Sequence, residues 1–344
     1  MTDERVRQMS LANRLLTRPE FGAFLALVVV WVFFAIVAFD NNFVSWVTTA
    51  AILNRAAPLG ILAVAVALLM IAGEFDLSIG SIVGFAGMAI MLLITPAEAG
   101  GFGLPVWMAV LIALIITLLT GFFNGVLVMA TRLPSFIITL GSLFIFRGLA
   151  VAIPRLMTNR TQLGGFEDYD SGGWAAAFAT KIEFGGARFD IAIIWWIVIA
   201  AIATIVLLKT HIGNWIFGTG GDANAARNVG VPVAKLKIAL FMVTALAAFT
   251  VALIQATQLN SADSLRGTLK EFEAIIAVVV GGTLLTGGYG SVLGPVFGAL
   301  IFAMVQQGII ITGVDGDWFR VFVGGILVLA VIFNNFIRQR ASKR

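Results

Sequence analysis

The sequence predicts an all-α integral membrane protein with about ten transmembrane helices, some of them short and broken, and with both termini on the cytoplasmic side. Three observations carry this prediction. Apolar residues make up 60% of the chain and charged residues 12%, with a mean hydropathy of +1.02, whereas an ordinary soluble domain carries about twice that share of charge. Long runs lack any charge, and a span takes roughly 20 residues. Basic residues also gather on one side of the proposed topology, as the Lys/Arg bias of cytoplasmic loops requires. With no cysteine and a single histidine, disulfides, thiol chemistry and a His/Cys metal site are ruled out. The net charge of +4 divides by membrane side and does not argue for nucleic acid.

Taken in order, residues 1–20 are a polar cytoplasmic segment with Arg5, Arg7, Arg14 and Arg18. The first charge-free run, 21–39, is longer than the ~7–15 residue core of a signal peptide and lacks a clear small-x-small cleavage site, so it reads as an uncleaved span. Further runs are 56–73, 77–97, 107–131, 133–146, 191–208, 238–262, 274–314 and 321–337. The run from 133 continues past Arg147 to Ile153. The run 274–314 is too long for one span and is broken at Thr286-Gly287-Gly288-Tyr289-Gly290, so it folds back as two. A single membrane domain therefore covers 21–337, with a cytoplasmic tail at 338–344. The proposed inner side holds 13 basic and 6 acidic residues, a net of +7, which leaves 9 basic and 12 acidic residues, a net of −3, elsewhere. The long loop 155–188 falls outside.

Few polar residues interrupt the spans. The string Gly73-Glu74-Phe75-Asp76-Leu77-Ser78-Ile79-Gly80-Ser81 joins spans two and three. Carboxylates this close to hydrocarbon are costly. Glu74 and Asp76 either reach inner-side water, the plainer expectation, or line a polar cavity at a broken helix end. Asp76 or Ser78 also suits a cap for the third span. Asn124 serves helix–helix hydrogen bonding or a pathway. Arg147 lines a pathway or snorkels to the outer surface. Gln255, Gln258 and Gln306 are candidate ligands for an uncharged hydroxylated solute, because amides both donate and accept. Glycines four apart, at 80/84, 121/125 and 290/294/298, let backbones approach closely.

Between two oily segments lies a basic stretch, 209–237. Within it Asp222 is a good N-cap, Gly230 suits the left-handed residue past a helix end, and Pro232 prevents continuation. The helix between them, 223–229, spans about 10 Å and needs a surface to lie on: either this protein's own loops or a partner on the basic side. No phosphate-binding Gly-x-x-x-x-Gly-Lys-Ser/Thr string occurs, and no embedded Asp/Glu/His relay runs through the spans, as a proton-driven carrier usually needs. Energy is expected to come from another chain.

The string 73–81 resembles the Gly-Gly-Ile-Asp-Leu-Ser-Val-Gly-Ser signature of ABC importer permeases of the ribose/xylose type. The same holds for Gly121-Phe122-Phe123-Asn124-Gly125, for Leu133-Pro134-Ser135-Phe136-Ile137-Ile138-Thr139-Leu140-Gly141, for 220–230, and for 281–294. Glu74 replaces the second glycine of the first signature, and Glu273 stands where the family commonly has Asp. The resemblance implies a homodimer of ten-helix permeases in a bacterial inner membrane, in contact with lipid and not with nucleic acid. It also implies ATP-binding subunits on the inside and a sugar-binding protein on the outside, met by loop 155–188. The segment around Gly220, Asp222, Asn224, Ala225, Ala226 and Gly230 would correspond to the ATPase-coupling helix. The expected function is sugar import, in particular of a monosaccharide, by alternating access. ATP and magnesium would bind on the partner, and this chain is expected to hold no catalytic, cofactor or metal residue. Nucleoside or branched-chain amino acid import is the alternative within the superfamily, and an autonomous secondary carrier the alternative outside it.

Overall fold

In a computed structural model, residues 19–319 and isolated positions up to 328 are described. The chain-end basic residues (Arg5, Arg7, Arg14, Arg18, Arg338, Arg340, Lys343, Arg344) and most of the expected tenth span lie outside the described residues.

The bundle is built from α1 (Pro19–Val37), α2 (Trp46–Ile71), α3 (Ile79–Ile94), α4 (Val106–Thr131), α5 (Ser135–Thr158), α8 (Ala192–Lys209), α11 (Val233–Gln258), α12 (Lys270–Val280) and α13 (Leu293–Ile311). Short helices α6 (Phe166–Tyr169) and α7 (Trp174–Phe178) lie in the loop after α5, and α9 (His211–Gly221) and α10 (Ala223–Asn228) follow α8. Among the described residues seven helices are long and apolar enough to cross a membrane. The other two bundle helices, α3 with 16 residues and α12 with 11, reach only about 24 and 16 Å at the helical rise. The run 274–314 does divide into two helices, separated by a longer turn than expected.

Two boundaries differ from expectation for identifiable reasons. Helix α2 starts ten residues before the charge-free run, because Ser45 caps it, its hydroxyl accepting from Thr48 N. Arg55 is carried on the exposed side of that helix and ended the run without ending the helix. Helix α9 was not anticipated: it is short and glycine-rich, with Gly213, Ile216 and Thr219 on its buried face.

Two antiparallel ribbons decorate one end. β1 (Gln162–Gly164) pairs with β4 (Ser261–Asp263), and β2 (Lys181–Phe184) pairs with β3 (Ala187–Asp190). At this ribbon end Trp174, Phe178 and Trp195 stack in sequence, and Phe184 meets Trp46 edge-on. Burial there pushes the Asp190 carboxyl above its ordinary range, with Lys181 opposing. The core is carried by α2, most of whose residues from Ala56 on are fully buried, with α8, α11, α12 and α13 packed round it.

The glycine pairs behave as close-approach points. A Cβ on Gly121 or Gly125 would strike the backbone of α11 at Phe241 and Ile238, and one on Gly294 or Gly298 would strike α12 at Gly281 and Ala277. Gly80 and Gly84 meet something else: the Glu271 carboxylate of α12 against Gly80, and the carbonyls of Gly267, Ser264 and Arg266. The non-helical segment 264–269 therefore enters the bundle from the ribbon end and lies on the bare face of α3. Irregular backbone at membrane depth is tolerated where protein covers it.

Candidate functional site

The end of the bundle opposite the ribbons is made of glycine and backbone. Helix α2 closes there in a Schellman turn. Gly73 N donates to Met70 O and Glu74 N to Leu69 O, with Gly73 at φ +85°, a conformation that favours glycine. The freed carbonyl of Ile71 accepts from Gly288 N at 2.8 Å. Gly220, near the end of α9, lies so close to that carbonyl that a Cβ there would sit 1.7 Å from it. Gly287 touches Gly73 in the same way. Three motifs far apart in sequence thus meet as one floor.

Inside this floor, the segment 73–78 turns into the bundle. Ser135 Oγ accepts from Phe75 N and Thr139 Oγ1 from Leu77 N, so the Leu-Pro-Ser motif holds the segment's backbone. Asp76 is fully buried. Its Oδ1 accepts from Ser78 N at 2.9 Å and Ser78 Oγ at 2.5 Å, and its Oδ2 accepts from Thr244 Oγ1 at 2.6 Å. Asn124 Nδ2 donates to Ser78 Oγ, and Ser142 Oγ donates to Asn124 Oδ1. One hydrogen-bonded chain therefore ties the start of α3 to α4, α5 and α11. The plainer expectation, that both carboxylates reach water, fails for Asp76. A carboxylate this deep persists only when its lone pairs are satisfied, and the signature supplies the donors. Neither residue caps α3 as expected: Ser78 makes no side-chain cap bond, and Asp76 binds the amide of Ser78 instead.

Glu74 sits at the edge of this hub, its side chain 12% exposed, and accepts from Lys237 Nζ of α11 at 2.5 Å. Lys237, Thr244, Ser142, Ser135 and Thr139 escaped the sequence reading as site residues.

Next to the floor stands α10. Asp222 caps it as expected, accepting from Asn224 N at 2.8 Å and Ala225 N at 3.0 Å. Its far end closes in a second Schellman turn, Gly230 N to Arg227 O and Val231 N to Ala226 O, with Gly230 at φ +90°. Ala226 alone of its residues is buried. Asn224, Ala225, Arg227 and Asn228 face outward, and Val229 is 82% exposed. The helix thus buries Ala226 fully and Ala223 partly, and leaves its other side chains exposed.

The remaining candidates are not brought into this site. Arg147 does not snorkel outward: its guanidinium donates to Thr268 Oγ1 at 2.6 Å and to Leu265 O at 3.4 Å, pinning the entering segment 264–269 to α5. It also lines an open concavity on α5 with Phe144, Gly148 and Arg155. Gln258 Nε2 reaches Phe178 O at the ribbon end, and Gln255 Oε1 is buried without a partner. Gln306 is on α13, which packs chiefly on α1, α2 and α12, whereas α11 packs chiefly on α4, α3 and α2. Among the described residues no cluster of three His, Cys, Asp or Glu side chains could hold a metal.

Residues 48–331 match the family model described as the branched-chain amino acid transport system permease component. The chain is 31% identical over 281 residues to the inner membrane ABC transporter permease protein YjfF of Escherichia coli K12, covering 82% of this chain and 81% of that protein. It is 29% identical over 317 residues to the autoinducer 2 import system permease protein LsrC of Escherichia coli O9:H4, covering 91% and 85%. No solved structure matches the chain.

Proposed function

Because the chain belongs to this family of ABC transporter permeases, a multi-pass inner-membrane subunit of an importer and not an enzyme, we propose that it carries a sugar, most simply a monosaccharide, across the bacterial inner membrane. The family brings with it ATP-binding and solute-binding partners. In this reading two copies form the pathway, ATP and magnesium bind on the partner chains, and the glycine end with α10 faces the cytoplasm. Alternating access is then a rigid-body switch of the bundle, biased by ATP binding in the partner.

The observation that carries the reading is α10: a helix capped at both ends, with only Ala226 fully buried against its own chain and most of its other residues outward-facing. A six-residue helix is unstable by itself, so this much end chemistry on so little buried surface suits a docking element. The first helix agrees in direction. Phe24 near its start meets Phe297, and Asn41 past its end donates to Ile311 O, which puts the start of α1 at the glycine end. The choice of a sugar is supported by the likeness of 73–81 to the ribose/xylose permease signature. The description of the matching family favours a second reading, branched-chain amino acids.

The test is reconstitution in proteoliposomes with the ATP-binding subunit and the solute-binding protein. Uptake of ribose or xylose that requires ATP and both partners is expected. Stimulation of ATP hydrolysis by leucine and not by pentoses would move the conclusion to the second reading. Uptake by this chain alone, driven by an ion gradient, would overturn both.

A further inference from the structure

We infer that the Glu74–Lys237 ion pair carries the movement of α10 to the buried hub around Asp76, making Glu74 and Lys237 positioning residues of the transport cycle. The inference rests on the reading of α10 as the contact with an ATP-binding subunit.

The geometry places the pair between the two. Helix α10 leads to α11 through a link too short to act as a loose tether: Val231 N is bonded back to Ala226 O, and Pro232 precedes the first residue of α11, Val233. Lys237 lies in the opening turns of α11. Seven residues further on is Thr244, two turns away and therefore on the same face. Lys237 grips Glu74, and Thr244 grips Asp76. One helix face thus holds both carboxylates of the 73–78 segment, and that segment continues through Ser78 and Asn124 to α4 and α5. Displacement of α10 along the membrane plane has a contiguous, polar and rigid route into the centre of the bundle, the kind of element through which coupling travels.

The two grips differ in kind. The Thr244–Asp76 contact is fully buried. The Glu74–Lys237 pair lies at the margin, with side chains 12% and 10% exposed. There an ion pair is strong enough to hold and close enough to water to open and reform, whereas either charge left alone is penalised. Glu74 is also a position where this chain departs from the signature it resembles, which has glycine there. A side chain at this place is an addition, and it is spent on α11.

The test uses the assembled transporter in proteoliposomes and reads the ratio of solute taken up to ATP hydrolysed. Glu74→Gln and Lys237→Met should each lower that ratio roughly tenfold while ATP hydrolysis persists, a size typical of coupling between sites. The charge swap, Glu74→Lys with Lys237→Glu, should restore most of it. A tie that only stabilises the fold would lower uptake and hydrolysis together and leave the ratio in place, which would overturn the inference. Single variants with a wild-type ratio, or a swap that assembles yet remains uncoupled, would overturn it too. If the single variants fail to reach the membrane, the swap alone decides by the same criterion. A wild-type complex without ATP-driven uptake would instead remove the reading on which the inference rests.

Discussion

The two ends of this bundle are held together by different means. At the glycine end, backbone touches backbone: Gly220, Gly287 and Gly288 sit where a single methyl would collide with main-chain atoms. At the ribbon end, aromatic side chains join as well, through the stacked Trp174, Phe178 and Trp195 and the Trp46–Phe184 pair, beside backbone approaches at Gly100 and Gly101. Aromatic contacts of that kind adjust by rotation and sliding at a cost of about 1 kcal/mol each. Backbone contacts do not adjust, because protein interiors are packed too densely for small shifts to be absorbed. A bundle built this way yields more readily at one end than at the other. The end that the proposed function assigns to the ATP-binding partner is the stiff one, so force applied at α10 is transmitted inward. The opposite end is more compliant, as suits the surface that the proposed function assigns to the solute-binding protein.

The largest expected effect strikes the stiff end. In Gly220→Ala the new methyl would lie 1.7 Å from Ile71 O and 2.5 Å from Gly288 N. Neither is a flexible side chain, so the floor must open, at a cost of about 3 kcal/mol. The adjacent Gly221 has open space around its missing Cβ, and Gly221→Ala should be neutral or stabilising by up to about 1 kcal/mol. Thermal unfolding of the two variants in the same detergent checks this. Equal midpoints would mean that the floor is not the rigid element.

The hub comes next. Asn124→Leu keeps the number and branching of the side-chain heavy atoms but leaves Ser78 without its donor and Ser142 without its acceptor, both buried. Each orphaned group carries a desolvation penalty, so a loss of about 1–3 kcal/mol is expected. Unfolding measurements on Asn124→Leu and on Asn124→Leu with Ser142→Ala sharpen the point. Removing the second hydroxyl should recover part of the loss if the chain of hydrogen bonds is the cause.

Hydropathy made the spans legible because lipid leaves a chain so few options. What it obscured follows from local ambiguity. Arg55 interrupted a charge-free run without interrupting α2, since one exposed face of a helix can carry a charge. The floor was readable as separate glycine motifs, yet nothing in Gly73, Gly220 or Gly288 announces that they meet. Asp76 stood out in the sequence, but its partner Thr244 did not. A threonine in an apolar helix ordinarily bonds its own turn, as Thr117 and Thr204 do here, and only the fold shows that Thr244 also faces a carboxylate. Helix α12 was anticipated as a full span, because the segment 264–269 that completes the crossing is polar and cannot be told from an external loop until it is seen lying on Gly80 and Gly84. The cap chemistry of α10 was fully local, and there Asp222 and Gly230 do what their positions in the sequence imply.

The smallest effects belong to the ribbon end, and they test its compliance. Asn54 on α2 holds the β2–β3 ribbon by both halves of its amide: Nδ2 donates to Arg188 O at 3.0 Å, and Oδ1 accepts from Asp190 N at 2.9 Å. Asn54→Ala should cost about 1 kcal/mol, since water reaches this region and replaces part of what is lost. The nearby Arg188–Glu183 pair spans 3.1 Å, but both side chains are 71% exposed, so Arg188→Ala should change stability by less than about 0.5 kcal/mol. Measured in the same detergent, the two variants should rank Asn54→Ala above Arg188→Ala, and both well below Gly220→Ala. A ribbon variant as damaging as Gly220→Ala would show that the outer contacts are as unforgiving as the glycine floor, and the contrast between the two ends would have to be abandoned.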